Sequence, residues 1–186
     1  MGKQRTVLSI VVLLAVFYSS CKKEMVATTD PNIVYRSINK TIDIPAGGAN
    51  VDSIDLNNDG KYDLVFMLLN QGADTGGVQM GGLHDGFEMA TAVALPFSYI
   101  LLHNASQLSA IGTPNYSSAT YITYKSDGVR LGLISGEGYL VFRFTTGTKF
   151  QYGWMKVGLN TSCTQFRIIE YAYQLLPETA IAVGAK

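Results

Sequence analysis

Between Ala119 and Gln174 the chain runs through five short segments that read as strands: Ala119–Tyr124, Val129–Ile134, Tyr139–Phe144, Gln151–Val157 and Gln165–Gln174. In Tyr139–Phe144, Leu140, Phe142 and Phe144 fall on one face and Tyr139, Val141 and Arg143 on the other. Such period-two alternation is what a sheet with one buried face requires. Thr145–Lys149, with Gly147 inside it, reads as a hairpin turn. Earlier segments at Ile33–Ser37, Thr41–Ile44, Val51–Asp55 and Phe87–Ala94 have the same character, broken by Pro45-Ala46-Gly47-Gly48 and similar stretches. Tyr62–Asn70 is apolar on both faces after Asp63, which predicts a central strand covered on both sides. The glycine-rich Gln71–Gly86 predicts a flexible surface loop, and Pro96–Ala110 fits a helical face or a strand and loop about equally. With no βαβ rhythm, the expected fold is all-β: an antiparallel β-sandwich or jelly roll.

The first twenty residues have the parts of a secretory signal. Lys3 and Arg5 are followed by an eleven-residue apolar run, Val7 to Phe17, and by the small residues Ser19 and Ser20 before Cys21. The run falls short of the roughly 20 apolar residues that span a bilayer. Small residues ahead of a cysteine at the end of the apolar run resemble the lipobox of bacterial lipoproteins, although Tyr18 stands where an aliphatic residue is usual. The resemblance implies a diacylglycerol on the thiol of Cys21 and cleavage before it. Residues 21–32 then form a polar tether and 33–186 a single domain. Lys22 is not the aspartate associated with inner-membrane retention in many Gram-negative lipoproteins, so the expected location is the cell envelope, at the outer membrane. Cys163, left single, is expected to be a small buried hydrophobe.

Charge narrows the function classes. The whole chain balances 14 basic against 14 acidic residues, and the signal takes Lys3 and Arg5 with it, leaving a mature charge of −2. Nucleic-acid binding proteins concentrate Lys and Arg on one face, and no nucleic-acid partner is expected here.

The sharpest local motif is Asp55-Leu-Asn57-Asn-Asp59-Gly60-Lys61-Tyr-Asp63. Oxygen side chains at loop positions 1, 3, 5 and 9 can converge on one hard cation. Gly60 permits the sharp turn, and the carbonyl of Lys61 supplies a further ligand. The motif resembles the DxNxDGxxD calcium loops of FG-GAP and VCBS-type repeats, in which a strand follows directly. It departs from the helical EF-hand, since Phe66 stands at the twelfth position where a bidentate Glu belongs. The expectation is a structural Ca²⁺ bound by Asp55, Asn57, Asp59, Lys61 and Asp63, with an affinity near the roughly 10⁻⁴–10⁻³ M of extracellular modules. Ordinary turn chemistry is the competing explanation, because Asn, Asp and Gly dominate turns without any metal.

Catalytic patterns do not emerge. Gly132-Leu-Ile-Ser135-Gly136 is not a nucleophile elbow, and Gln71–Gly86 lacks a phosphate-binding ending. His84 and His103 form no metal pair, and Asp85 beside His84 reads as loop polarity. Glu88, Glu137 and Glu170 are unplaced acids, with Glu137 between two glycines suggesting a turn. Trp154 reads as a core anchor. The order GYLVFRF, YGWMKV, EYAYQ and IAVGA resembles secreted bacterial β-proteins of no known activity, which implies fold and location alone. The expected function is therefore a non-enzymatic, membrane-anchored binding or envelope-structural domain, partnered by the membrane and by a glycan or envelope protein. The alternative is a glycan-binding module or weak hydrolase, motivated by Tyr139, Tyr152, Trp154, Tyr171 and Tyr173 together with the unplaced acids.

Overall fold

A computed structural model of the chain describes residues 30–70, 75–83, 86–94, 97–100, 115–126, 129–132, 135–160, 162 and 164–186. The segment expected to be a signal, Cys21, His84, Asp85, His103 and Cys163 lie outside the described residues. The described part is all-β, with strands β1 (Ile33–Asp43), β2 (Ala49–Ile54), β3 (Leu64–Asn70), β4 (Thr75–Gly82), β5 (Glu88–Ala94), β6 (Phe97–Ile100), β7 (Asn115–Ser117), β8 (Ala119–Ser126), β9 (Val129–Gly132), β10 (Gly136–Thr146), β11 (Lys149–Leu159) and β12 (Gln165–Gln174).

Two antiparallel sheets face each other. One runs β1-β12-β11-β10-β5 and the other β8-β4-β3-β2; β6 joins them, antiparallel to β5 and parallel to β8 at the single pair Tyr99↔Tyr121. Alternation along the strands places Leu64, Phe66, Leu68, Val78 and Met80 of one layer against Leu140, Phe142, Met155, Phe166 and Ile168 of the other. The Phe66 and Phe166 rings meet at 5.4 Å across the layers. The free edges of β1 and β2 are drawn together by side chains: Lys40 pairs with Asp52 at 2.7 Å, and the Asn50 amide donates to the Asp43 carbonyl at 3.0 Å. The fold is thus an antiparallel β-sandwich whose seam is closed by polar side chains.

The β10–β11 hairpin turns at Gly147-Thr148, with Gly147 at φ +66°, as the sequence predicts. Four readings need correction. Gln71–Gly86 contains strand β4, bonded on both sides to β3 and β8. Its glycines serve close packing: a Cβ on Gly76 would lie 2.8 Å from the Leu69 carbonyl oxygen, and one on Gly82 2.8 Å from that of Phe87. The two segments predicted between Ile33 and Ile44 are one strand, kept continuous by a bulge between Ser37 and Lys40 where Asn39 takes φ +51°. β3 is central but covered on one face only, for Met67 remains 42% exposed. Glu137 lies in β10 opposite Gly158, not in a turn.

Trp154 is fully buried, but on the outer side of its sheet. There Val141, Trp154 and Ala172 are covered by Ile181 and Val183 of the segment that follows β12.

Candidate functional site

The nine-residue motif connects β2 to β3, closed at its neck by the Asp63 N–H donating to the Ile54 carbonyl at 2.9 Å. Inside it, side-chain oxygens fold the backbone around themselves. Asp55 Oδ1 accepts from Asn58 N at 2.6 Å and its Oδ2 from Gly60 N at 2.8 Å. Asn57 Oδ1 accepts from Asp59 N at 2.9 Å, and Asp59 Oδ1 from Lys61 N at 2.8 Å. Asp63 Oδ2 reaches back to Leu56 N at 2.7 Å. These bonds need left-handed backbone at two points, supplied by Asn58 at φ +63° and Gly60 at φ +86°.

The loop is not a loose surface excursion. Leu56 is 1% exposed and lies in the core, and its carbonyl accepts the buried Tyr171 hydroxyl of the opposite sheet at 2.7 Å. The motif is therefore fixed to both layers at once. Beside it lies an open recess of about 310 Å³, lined by Asn57, Asp59, Lys61 and Asp63 on one side and by Phe144, Thr145 and Thr146 on the other.

Electrostatics within the loop are one-sided. Burial pushes the Asp63 carboxyl up; the amides of Leu56 and Asn57 oppose this, and the charges of Asp55 and Asp59 push it further up. Three acids thus repel one another across a few residues. The donor set is all oxygen, the chemistry of a hard cation; Asp55 Oδ1 already accepts from both Asn58 N and Asp59 N, while Asp55 Oδ2 and Asp59 Oδ1 each accept one backbone N–H. In the conformation seen, no group of three or more His, Cys, Asp or Glu side chains among the described residues is gathered at metal-holding spacing. The oxygens fit a calcium ion in kind, and binding one would draw them closer together.

The other acids are differently placed. Glu88 takes Arg143 Nε at 2.7 Å, with the guanidinium held 3.9 Å from both the Tyr116 and Phe150 ring centres. Glu137 pairs with Lys156 at 2.6 Å and Arg167 at 2.9 Å, and the Lys156 bond holds its carboxyl below the usual range. Burial pushes Glu170 up, but the Tyr35 hydroxyl at 2.5 Å and Lys186 at 2.9 Å outweigh it and keep the carboxyl low. The lowered carboxyls of Glu137 and Glu170 are shifted in the opposite direction from a general acid.

The aromatics behind the glycan reading are largely sealed in. Trp154, Tyr171 and Tyr173 are buried, and Tyr139 and Tyr152 are half-buried against the Trp154 cluster. Sequence reading missed the Arg143 clamp, because its members are brought together only by strand register. No protein family model matches this chain, and no curated protein and no solved structure matches it either.

Proposed function

We propose that the protein is a non-enzymatic β-domain of the cell envelope, held at the membrane by a lipid on Cys21 and the tether 21–32, with a structural calcium ion in the Asp55–Asp63 loop. The observation that carries the calcium reading is the run of successive oxygens, from Asp55, Asn57 and Asp59, each turning a downstream backbone amide inward, while among the described residues no ion pair is made to these acids. A divalent cation would relieve the repulsion among Asp55, Asp59 and Asp63 and stiffen a turn built on the core residue Leu56. The non-enzymatic reading is supported by the ion pairs that occupy Glu88, Glu137 and Glu170. The anchor reading is supported by the signal and the position of Cys21 in the sequence.

Thermal melts of the mature protein in excess EDTA and in added calcium test the loop. At calcium ten times its dissociation constant, mass action adds about 1.4 kcal/mol, a rise of about 3–6 °C for a domain this size. Asp59→Ala should abolish the rise. Equal midpoints in EDTA and calcium for the wild type would remove the site. Mass spectrometry of the mature N-terminus tests the anchor, and an unmodified Cys21 would refute it.

A further inference from the structure

The start of the described chain at Asp30, the acidic loop and most of the exposed apolar side chains among the described residues gather at one end of the sandwich. The tether enters β1 there, with the Ile33 amide donating to the Asp30 carbonyl at 2.9 Å. Next to it the Leu175 amide donates to the Asn32 carbonyl at 2.7 Å. The Leu175 carbonyl in turn accepts Gln151 Nε2 at 2.5 Å, and Gln151 Oε1 accepts the Thr146 hydroxyl at 2.9 Å. Thr146 lines the same recess as Asp59 and Lys61. On the far side of the loop, the Leu83 amide donates to the Asp63 carbonyl at 2.8 Å. A path of hydrogen bonds thus runs from the tether to the rim of the recess that the loop lines.

Six large hydrophobic side chains are exposed among the described residues, and four of them sit on this path: Tyr62 at 59%, Leu83 at 47%, Leu175 at 44% and Leu176 at 48%. The other two, Val51 and Met67, are paired neighbours in the middle of β2 and β3. Scattered exposed apolar residues are ordinary, but their concentration at one end calls for a partner.

Chain length sets which end a lipid on Cys21 would hold near a membrane. Cys21 precedes Asp30 by nine residues, and nine residues reach about 30 Å when fully extended. As a flexible chain they average roughly 17 Å. A lipid on Cys21 therefore holds this end of the domain, and not the opposite one, within reach of the bilayer. We infer that the end bearing Tyr62, Leu83, Leu175 and Leu176 rests on the lipid surface, with these side chains in the headgroup region; the inference relies on the anchor reading of Cys21. Leucines and a tyrosine are suited to that depth, where apolar carbon is buried and a phenol stays wet.

The test uses the mature full chain in phosphatidylcholine vesicles containing lipids brominated near the headgroup end of the acyl chain. Leu176→Trp and Leu83→Trp each add a tryptophan at the proposed contact, and Met67→Trp adds one on the side of the sandwich. The native Trp154, being buried, supplies a constant background. Brominated lipid should quench the added emission at 176 and 83 at least twofold more than at 67. Equal quenching at all three positions, or none at 176 and 83, with lipid on Cys21 confirmed by mass spectrometry, would overturn the docking surface and leave the anchor standing. An unmodified Cys21 would overturn both.

Discussion

The two ends of the sandwich treat their acids in opposite ways. At the end where β10 begins and β11 ends, Glu137 is flanked by Lys156 and Arg167, and the charge is balanced by side chains the fold supplies. At the tether end, Asp55, Asp59 and Asp63 receive backbone amides, and the charges acting on Asp63 are those of its fellow acids. Partial positive charge from amides shapes the turn but leaves the ionic charge in place. An acid cluster paired with basic side chains has its charge balanced within the fold, whereas one capped by amides keeps its net charge and has room for an external cation. The contrast is the physical reason for proposing calcium at the loop end.

Several substitutions would break or sharpen this contrast. The largest effect belongs to Leu56→Ala, which removes the core residue that seats the loop. Deleting a fully buried leucine costs about 2–5 kcal/mol, to be read as a lowered midpoint in urea without a change in slope. Gly60→Ala comes next. Nothing lies within 4 Å of the added Cβ, so its cost is the left-handed backbone at φ +86°, about 1–2 kcal/mol, and calcium affinity should fall with it. Tyr171→Phe leaves the Leu56 carbonyl without its hydroxyl partner and should cost about 1 kcal/mol in the same titration.

The smallest effect is at the other end. The folded pKa of Glu137 lies below its ordinary value, so its contribution to stability is present above the unfolded value of 4.5 and lost as pH falls through the lowered folded one. Glu137→Gln should therefore slightly flatten the acid limb of a stability-versus-pH curve, since solvent reaches both members of the pair and screens it. A mutant curve that parallels the wild type through this window would show that the ion pair contributes nothing.

What could be read from sequence follows how local each feature is. The Asp55–Asp63 turn and the Gly147 hairpin are set by residues a few positions apart and stand in the fold; the alternation in Tyr139–Phe144 does give two faces, but the reading of one buried face is corrected, because Val141 on the outer face is buried as well. Calcium in the turn is a separate question, since an amide-capped turn and a cation loop share the same residues. Strand β4 was hidden because glycine in a packed strand and glycine in a loop look alike; only the nearness of Leu69 and Phe87 distinguishes them. Glu137 gave no hint of its partners, because Lys156 and Arg167 reach it through the register of β10, β11 and β12. The cover over Trp154 was also illegible. Its apolar alternation resembles that of β3, yet Ile181 and Val183 lie over one strand's outer side and nothing described lies over Met67.

The most direct measurement is a calcium titration followed by amide resonances in a nitrogen–proton correlation spectrum of the mature protein. The account predicts saturable shifts at Asp59, Gly60 and Lys61 with a midpoint near the roughly 10⁻⁴–10⁻³ M of extracellular calcium modules, no movement at Glu137 and Lys156, and loss of the response in Asp59→Ala. Loop amides that stay in place up to tens of millimolar calcium, or shifts of equal size at both ends, would contradict it.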